Sequence, residues 1–300
     1  RGGMAIPESQ LDTWSHQGSI TQSSTTYNTI KKALESTDSA YAAKDYTVFL
    51  QGSYGNDTNI YTESDVDIVI QLNSCFYHDL ENLPDDQKEA FKKAHSNATY
   101  CYFEFKKDVL ALLEDTYGDS IKSGDKAIKI EANGSRRNAD VLIATEYRRY
   151  YKFLSTSDES HVTGICFHSA DQTRIANYPK QHSANCSAKH QATGEWFKPM
   201  VRVLKNLRSK LIEDEMIEAG VAPSYYIEGL LYNVPKEKFG KSYDDSFVNC
   251  INWILEADRS KFLCANEQYY LLREGSPVTW RDSKCTEFLT AACDLWKQWQ

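Results

Sequence analysis

The sequence predicts a mixed α/β (α+β) protein in which a sheet-bearing first part is followed by a helical C-terminal lobe. Three observations carry this. Short β-branched and aromatic runs broken by glycine recur in the first part, as in "DYTVFLQGS" and "SDVDIVIQL". Beyond Thr193 the apolar residues Trp196, Met200, Val203, Leu204, Leu207 and Leu211 recur at helical spacings of three and four. No internal repeat or low-complexity linker separates the two patterns, which predicts two lobes sharing an interface. The expected domains are residues 4–190 and 191–300, with the ligand site in the cleft between them.

Each element follows from local chemistry. Residues 20–34, ending in "YNTIKKALES", read as one amphipathic brace helix. "DYTVFLQGS" is a strand up to Leu50, broken into a turn at Gly52. "SDVDIVIQL" is its neighbour, with Asp65, Asp67 and Val69 on one face and Val66, Ile68 and Ile70 on the other. Pro84 opens a long helical stretch to about Tyr117, its first turn acidic in "LPDDQKEAF". "KAIKIEA" and "NADVLIATEY" are strands flanking the Gly134 turn, and "GICFHSADQTRIANYP" is a hairpin. "PSYYIEGLLYNVP", "DDSFVNCINWILEAD" and "SKCTEFLTAACDLWKQW" complete the helical lobe.

Composition narrows the function classes. At 300 residues and 41% hydrophobic the chain can bury a substantial core. No window approaches the ~18 consecutive apolar residues of a membrane span, and no signal-peptide pattern opens the chain, so a cytosolic protein is expected. Arg1-Gly2-Gly3 reads as a remnant ahead of a native start at Met4. A net charge of −8 argues against a dedicated nucleic-acid binder, whose affinity rests on clustered cations, while a local cationic pocket for a small anion stays compatible with it. The 8 cysteines show no paired framework, which predicts reduced, mostly buried thiols and no disulfide. Three Asn-x-Ser/Thr patterns, at Asn56, Asn97 and Asn133, matter only in a secreted chain.

The carboxylates supply the chemistry. Asp65 and Asp67 project from one face of a strand, one pleat apart, and two unpaired like charges there repel. A divalent cation resolves the conflict, and hard oxygen ligands suit Mg2+ or Mn2+. Asp140, on the later strand "NADVLIA", is placed to bring a third carboxylate, enough for two metal ions serving an in-line displacement. The Gly52-Ser53 turn complements them, because glycine lets backbone approach closely and the serine hydroxyl can bond to triphosphate oxygens.

These residues resemble the nucleotidyltransferases of the cyclic GMP-AMP synthase and DncV-like group, called CD-NTases in bacteria. The likeness runs through "PESQLDTWSHQGS", which looks like clade E of that family, "LQGSYGNDTNIYTESDVDIVIQL", "NADVL", "NYPKQH", "WFKPMVRVLKNLR" and "PSYYIEGLLYNVP". The resemblance implies a polymerase-β-like nucleotidyltransferase core and a helical C-terminal lobe that join nucleoside triphosphates, UTP and ATP, into a cyclic UMP-AMP or cyclic di-UMP signal. It also implies a role in bacterial anti-phage defence (CBASS), where the product reaches a downstream effector. By motif, Gln51 and Ser53 match the phosphate-facing turn, and Asp65, Asp67 and Asp140 match the metal triad. Lys205 resembles a lysine that reaches the donor triphosphate, with a solvated helix charge as the competing reading. Ser224 and Tyr225 resemble a serine on phosphate and a tyrosine stacked on a base, where a core tyrosine competes. Asn177 is the candidate for an asparagine that favours uracil; equally, an Asn before Tyr-Pro closes a turn.

Other readings were weighed. His182, Cys186 and His190, at i, i+4 and i+8, with Cys166 upstream, match no strong zinc template, and the histidines are expected to pack or bond locally. The same turn and triad could serve a transferase acting on tRNA, a drug or a protein, and a catalytically silent nucleotide binder would keep the fold alone. With no basic face for a duplex, activity without a nucleic-acid activator is expected.

Overall fold

The computed structural model describes residues 5–300; the reading of Arg1-Gly2-Gly3 ahead of Met4 lies outside them. The chain packs as two compact units: residues 5–20, Gly52–Ser64 and Lys180–Gln300 form one, Thr21–Gln51 and Asp65–Pro179 the other. In chain order, helix α1 (Glu8–Ser15) precedes α2 (Thr21–Leu34), strand β1 (Tyr46–Gln51) and the one-turn helix α3 (Gly52–Gly55). Next come β2 (Val66–Asp79), α4 (Asp85–Ala94), α5 (Tyr102–Tyr117), β3 (Ile121–Ser123), β4 (Ile128–Ile130), β5 (Ala139–Ser155), β6 (Asp158–His168) and β7 (Arg174–Asn177). Helices α6 (Pro179–Ala192), α7 (Phe197–Glu213), α8 (Ser224–Tyr232), α9 (Tyr243–Glu256) and α10 (Asp282–Gln298) complete it.

The sheet has 7 strands in the order β1-β2-β5-β4-β3, with β6 beside β5 and β7 beside β6. β1 and β2 pair antiparallel as expected of neighbours, and β2 and β5 pair in parallel. A parallel pair buried on both faces needs apolar side chains on both, and Val66, Ile68, Val69, Ile70 and Leu72 of β2 and Val141, Leu142, Ile143 and Ala144 of β5 are all buried. Each fully buried Val, Leu or Ile contributes about 1.5–3 kcal/mol, so this pair is the rigid centre of its unit. The brace helix α2 buries Ser23, Thr26, Ile30 and Leu34. Its Thr26 Oγ1 accepts from the Arg137 backbone N–H at 2.9 Å, and Ser23 and Gln22 accept from the Arg137 guanidinium, fixing the chain three residues ahead of Asp140.

In the helical unit, α7 buries Phe197, Met200, Val201, Val203, Leu204, Leu207 and Leu211 in a core shared with Ile227, Leu230 and Leu231 of α8, Phe247 and Ile254 of α9, and Phe288 and Leu295 of α10. The spacing-based stripe is therefore the core face. Among the described residues, no helix is long and apolar enough to cross a membrane.

Three expectations change. The helical stretch predicted over residues 84–117 is two helices, because "HSNATYC" intervenes: His95 leaves the helix with extended backbone and Glu104 accepts from the Cys101 backbone N–H in a capping box. Ser, Asn and Thr favour such breaks by competing for backbone hydrogen bonds. The expectation of no disulfide is corrected: Cys75 on β2 and Cys101 at the start of α5, 26 residues apart in sequence, are bonded with a Cα–Cα distance of 5.5 Å. Packing of a strand against a helix cap makes that pair, which cysteine count and spacing do not reveal. Cys166, Cys186, Cys250, Cys264 and Cys285 are buried free thiols, as expected, with Cys293 half-buried. Strands β2 and β5 also outrun their expected ends, pairing as far as Asp79 and Arg149 past a register shift between Leu72 and Phe76.

Candidate active site

The sequence-predicted residues fall into two clusters, one in each unit. In the sheet unit, register sets Gln51 of β1 opposite Asp67 of β2, Asp67 opposite Asp140 of β5, and Asp140 opposite Lys129 of β4. Four adjacent strands thus present one row, Gln51-Asp67-Asp140-Lys129. Asp65 lies two residues before Asp67, just ahead of the first residue of β2, so the expectation that it shares the strand face with Asp67 stops one residue short of the strand. Lys129, which pattern reading passed over, brings its Nζ to 3.7 Å from Asp65 Oδ2.

Among the described residues the carboxylates of this row do not form a group whose oxygens all lie within 4.8 Å of one another, but their charges interact. Burial, and then the charge of Asp65, raise the Asp140 pKa above the ordinary aspartate value, against the opposing pull of Lys129. A carboxylate beside another carboxylate is a donor set that suits a hard divalent ion. The crowding also has a stability sign. A folded-state pKa raised above the unfolded value means that ionised Asp140 opposes folding at pH above both values, an opposition relieved as pH falls. Asp140→Asn is therefore expected to raise the melting temperature of metal-free protein slightly at neutral pH while product formation is lost; calorimetry and product chromatography on one preparation check both.

In the helical unit, α3 follows directly on Gln51. Gly52 takes φ of 68°, the left-handed region glycine enters without a Cβ penalty. Asn56 N–H donates to the Gly52 carbonyl and Thr58 N–H to the Ser53 carbonyl, closing the turn. Ser53 Oγ accepts from Lys205 Nζ at 2.7 Å. Lys205 is fully buried, so the solvated-charge reading of it fails. Its ammonium also donates to the Thr58 carbonyl at 2.8 Å and to the Glu63 carboxylate at 2.7 and 2.9 Å. Burial lowers the Lys205 pKa, and Glu63 and Glu228 hold it up.

Ser224, the first residue of α8, donates to Glu63 Oε1 at 3.1 Å and accepts from Arg208 Nη1 at 3.0 Å. Tyr225 stacks on His182, with centroids 4.7 Å apart and planes at 18°, and its hydroxyl accepts from Asn266 Nδ2 at 2.8 Å. Asn177, the last residue of β7, has its Oδ1 on the backbone N–H of Tyr178 at 2.9 Å, the bond of the turn-closing reading. Glu63, Arg208 and Glu228 were missed by sequence reasoning, and His182 was considered only with Cys186, His190 and Cys166. A signal existed for two of them: Arg208 lies one helical turn beyond Lys205, and Glu228 is the lone charge in the apolar helix "SYYIEGLLY".

His182 and Cys186 do come together, although with Glu228 and not with His190 or Cys166. Their ligand atoms lie within 4.8 Å of one another, and all three residues are buried. Both Glu228 oxygens are engaged: Oε1 accepts from Thr58 Oγ1 at 2.6 Å, and Oε2 lies 2.5 Å from His182 Nε2 and 3.4 Å from Asn56 Nδ2. Glu228 is thus satisfied by Thr58, His182 and Asn56, whereas His182 Nδ1 is buried with no hydrogen-bond partner among the described residues. His182 thus bonds across 46 residues of sequence rather than locally.

Comparison with known proteins agrees with this chemistry. Residues 184–297 match the cGAS/DncV-like nucleotidyltransferase C-terminal helical domain. A cyclic UMP-AMP synthase of Rhodothermus marinus is 42% identical over 99% of this chain and 99% of its own. A cyclic dipyrimidine nucleotide synthase, CdnE, of Legionella pneumophila is 36% identical over 93% and 94%. The solved Rhodothermus marinus CdnE c-UMP-AMP synthase with Apcpp and Upnpp superposes with a TM-score of 0.88 at 40% identity, covering 98% of this chain and 97% of that one. Likeness of this degree over the full length shows the family: the chain belongs to the cGAS/DncV-like nucleotidyltransferases, the CD-NTases, and is a cyclic nucleotide synthase of that family.

Proposed function

We propose that this synthase joins UTP with ATP, or two UTP molecules, into cyclic UMP-AMP or cyclic di-UMP, acting in the bacterial cytoplasm as the signal-making step of anti-phage (CBASS) defence. The observation that supports the catalytic reading is the register of Asp67 opposite Asp140, with the charge of Asp65 felt by Asp140. Relatives named for cyclic UMP-AMP and dipyrimidine synthesis support the choice of bases.

In this reading Asp65, Asp67 and Asp140 would hold two divalent ions, Mg2+ or Mn2+, which when bound neutralise phosphate charge and ease ionisation of the attacking hydroxyl. Asp140, whose affinity for a proton is raised, takes the proton of that hydroxyl as its oxygen bonds to the α-phosphorus and pyrophosphate leaves. Gln51, Gly52 and Ser53 would meet the triphosphate at the turn, and Lys205 and Ser224 would reach its phosphate oxygens. Tyr225 supplies an aromatic surface for a base and Asn177 an amide for a pyrimidine edge. A formal charge of −8 supports activity without a nucleic-acid activator.

Mass spectrometry of products made from all four ribonucleoside triphosphates with Mg2+ or Mn2+ tests this, with Asp65→Asn as the blank. A phosphatase-resistant cyclic product containing uridine, formed without added acceptor or duplex, is expected. A purine-only product would overturn the base assignment, and strict dependence on added duplex would overturn the activator-free reading.

A further inference from the structure

Tyr225 is held from behind. Its ring stacks on the imidazole of His182 in α6, with centroids 4.7 Å apart and planes at 18°. His182 is only 2% exposed, so that face of the tyrosine is closed to a ligand, and a base that stacks on Tyr225 must take the opposite face. The Tyr226 ring meets Tyr225 at 79° with centroids 5.3 Å apart. At the far end of the ring the hydroxyl accepts from Asn266 Nδ2 at 2.8 Å, and the Asn266 amide is fixed in turn by the Gln268 backbone N–H, which donates to its Oδ1 at 2.9 Å.

The imidazole is aimed by Glu228. His182 Nε2 lies 2.5 Å from Glu228 Oε2, while Nδ1 has no hydrogen-bond partner among the described residues, so the carboxylate is the polar contact that sets the plane of this ring. Glu228 also accepts from Thr58 Oγ1 at 2.6 Å and Asn56 Nδ2 at 3.4 Å. Asn56 and Thr58 close the turn that begins at Gly52-Ser53. An unbroken series of contacts therefore runs from that turn through Thr58, Glu228 and His182 to the back of Tyr225, all within the helical unit. Asn56, Thr58, Glu228 and His182 are all buried, and hydrogen bonds to a carboxylate in such a setting are strong and orient their partners closely.

We propose that His182 is a positioning residue for the nucleobase: anchored by Glu228, it backs the Tyr225 ring so that the opposite face lies flat against a base, and it acts through Tyr225 without touching the nucleotide. This rests on the reading of Tyr225 as the base-stacking residue. It gives the buried His182 and Glu228 pair, outside both the acidic row and the serine turn, a share in base affinity, and it links the phosphate turn to the base through Thr58.

The test reads dissociation constants of the full chain for Apcpp, for Upnpp and for inorganic tripolyphosphate, which carries no base, together with KM, kcat and melting temperature. Tyr225→Ala removes the stacking surface and is expected to weaken at least one of the two nucleotides about tenfold, with tripolyphosphate changed less than about twofold. That nucleotide is then followed in the His182 variants. His182→Gln keeps a polar partner for Glu228 and removes the flat ring; it is expected to raise Kd and KM about three- to fivefold, the size of one aromatic pair, with kcat and tripolyphosphate binding changed less than about twofold. His182→Phe restores a flat ring and should recover part of the affinity; if it does not fold, His182→Gln carries the test. The variant with both His182→Gln and Tyr225→Ala should bind no worse than Tyr225→Ala alone, because both act through one ring. Equal losses for nucleotide and tripolyphosphate, multiplicative losses in the double variant, or a lowered melting temperature with nucleotide binding unmoved would each overturn the proposal. Unchanged binding of both nucleotides by Tyr225→Ala would fell the base-stacking reading itself, and the proposal with it.

Discussion

Asp67→Asn is expected to lower cyclic nucleotide formation about a thousandfold or more, several kcal/mol of transition-state stabilisation, without lowering the melting temperature. The expected size follows from placement. Asp67 lies within the row, its Cα paired with Gln51 on one side and Asp140 on the other. Asn matches Asp in shape, so the β2 backbone ladder and the buried Ile68, Val69 and Ile70 are untouched. What disappears is a negative charge, and with it a hard oxygen donor for a divalent ion. The fold keeps its strand pairing, whereas the reaction loses charge compensation on a triphosphate. Activity lost with stability kept marks a catalytic carboxylate; a structural one would lose both together. Purified wild type and variant, compared by product chromatography at saturating triphosphate and by calorimetry, decide it. An Asp67→Asn protein retaining a tenth of wild-type turnover would remove the row from the chemistry.

The row was legible in part. Strand alternation places Asp65 and Asp67 on one face from sequence alone, because a period of two is a property of any strand. The register that sets Asp140 opposite Asp67 is not local: it depends on a parallel pairing of strands more than sixty positions apart in sequence, fixed by the packing of both faces. The helical lobe was legible because its apolar stripe repeats along α7, yet the same stripe holds Lys205, whose burial no periodicity explains. A charge on a core face needs a partner, and the partner, Glu63, lies in a loop where no pattern marks it. The Cys75–Cys101 bond was invisible for a related reason, since a strand residue and a helix cap meet only in three dimensions. A pattern reading also cuts the chain at one point, near residue 190, while packing gathers Gly52–Ser64 with residues beyond 180. That grouping brings Ser53, Thr58 and Glu63 together with Lys205, Arg208 and Glu228.

Glu228→Ala is expected to destabilise the protein by about 3–5 kcal/mol, the usual consequence of removing one partner from a buried ionic network, and so to lower its melting temperature by roughly 6–15 °C. Glu228 is buried among apolar neighbours on α8, yet it receives hydrogen bonds from Thr58, His182 and Asn56. Burial alone would raise its pKa; His182, Lys205 and Thr58 together outweigh that and lower it below the usual value of 4.5. The sign follows. A carboxylate with a depressed folded-state pKa binds its proton less well folded than unfolded, so its contribution is complete above about pH 4.5 and is lost as pH falls through the folded value. Glu228→Gln keeps the shape and one acceptor but lacks the charge, so wild type should be clearly more stable than this variant at neutral pH, and the difference should narrow as the solution is acidified. Denaturant titrations of both proteins from neutral pH downward measure it. A gap that stays constant with pH would show that shape and hydrogen bonding, not charge, hold α8 against α6 and the Thr58 turn. The same series bears on Ser53, because Lys205 stands between Glu63 and Glu228 in the electrostatics that keep it charged. Loss of Glu228's charge should therefore lower the Lys205 pKa further and weaken the hold of its ammonium on Ser53 Oγ.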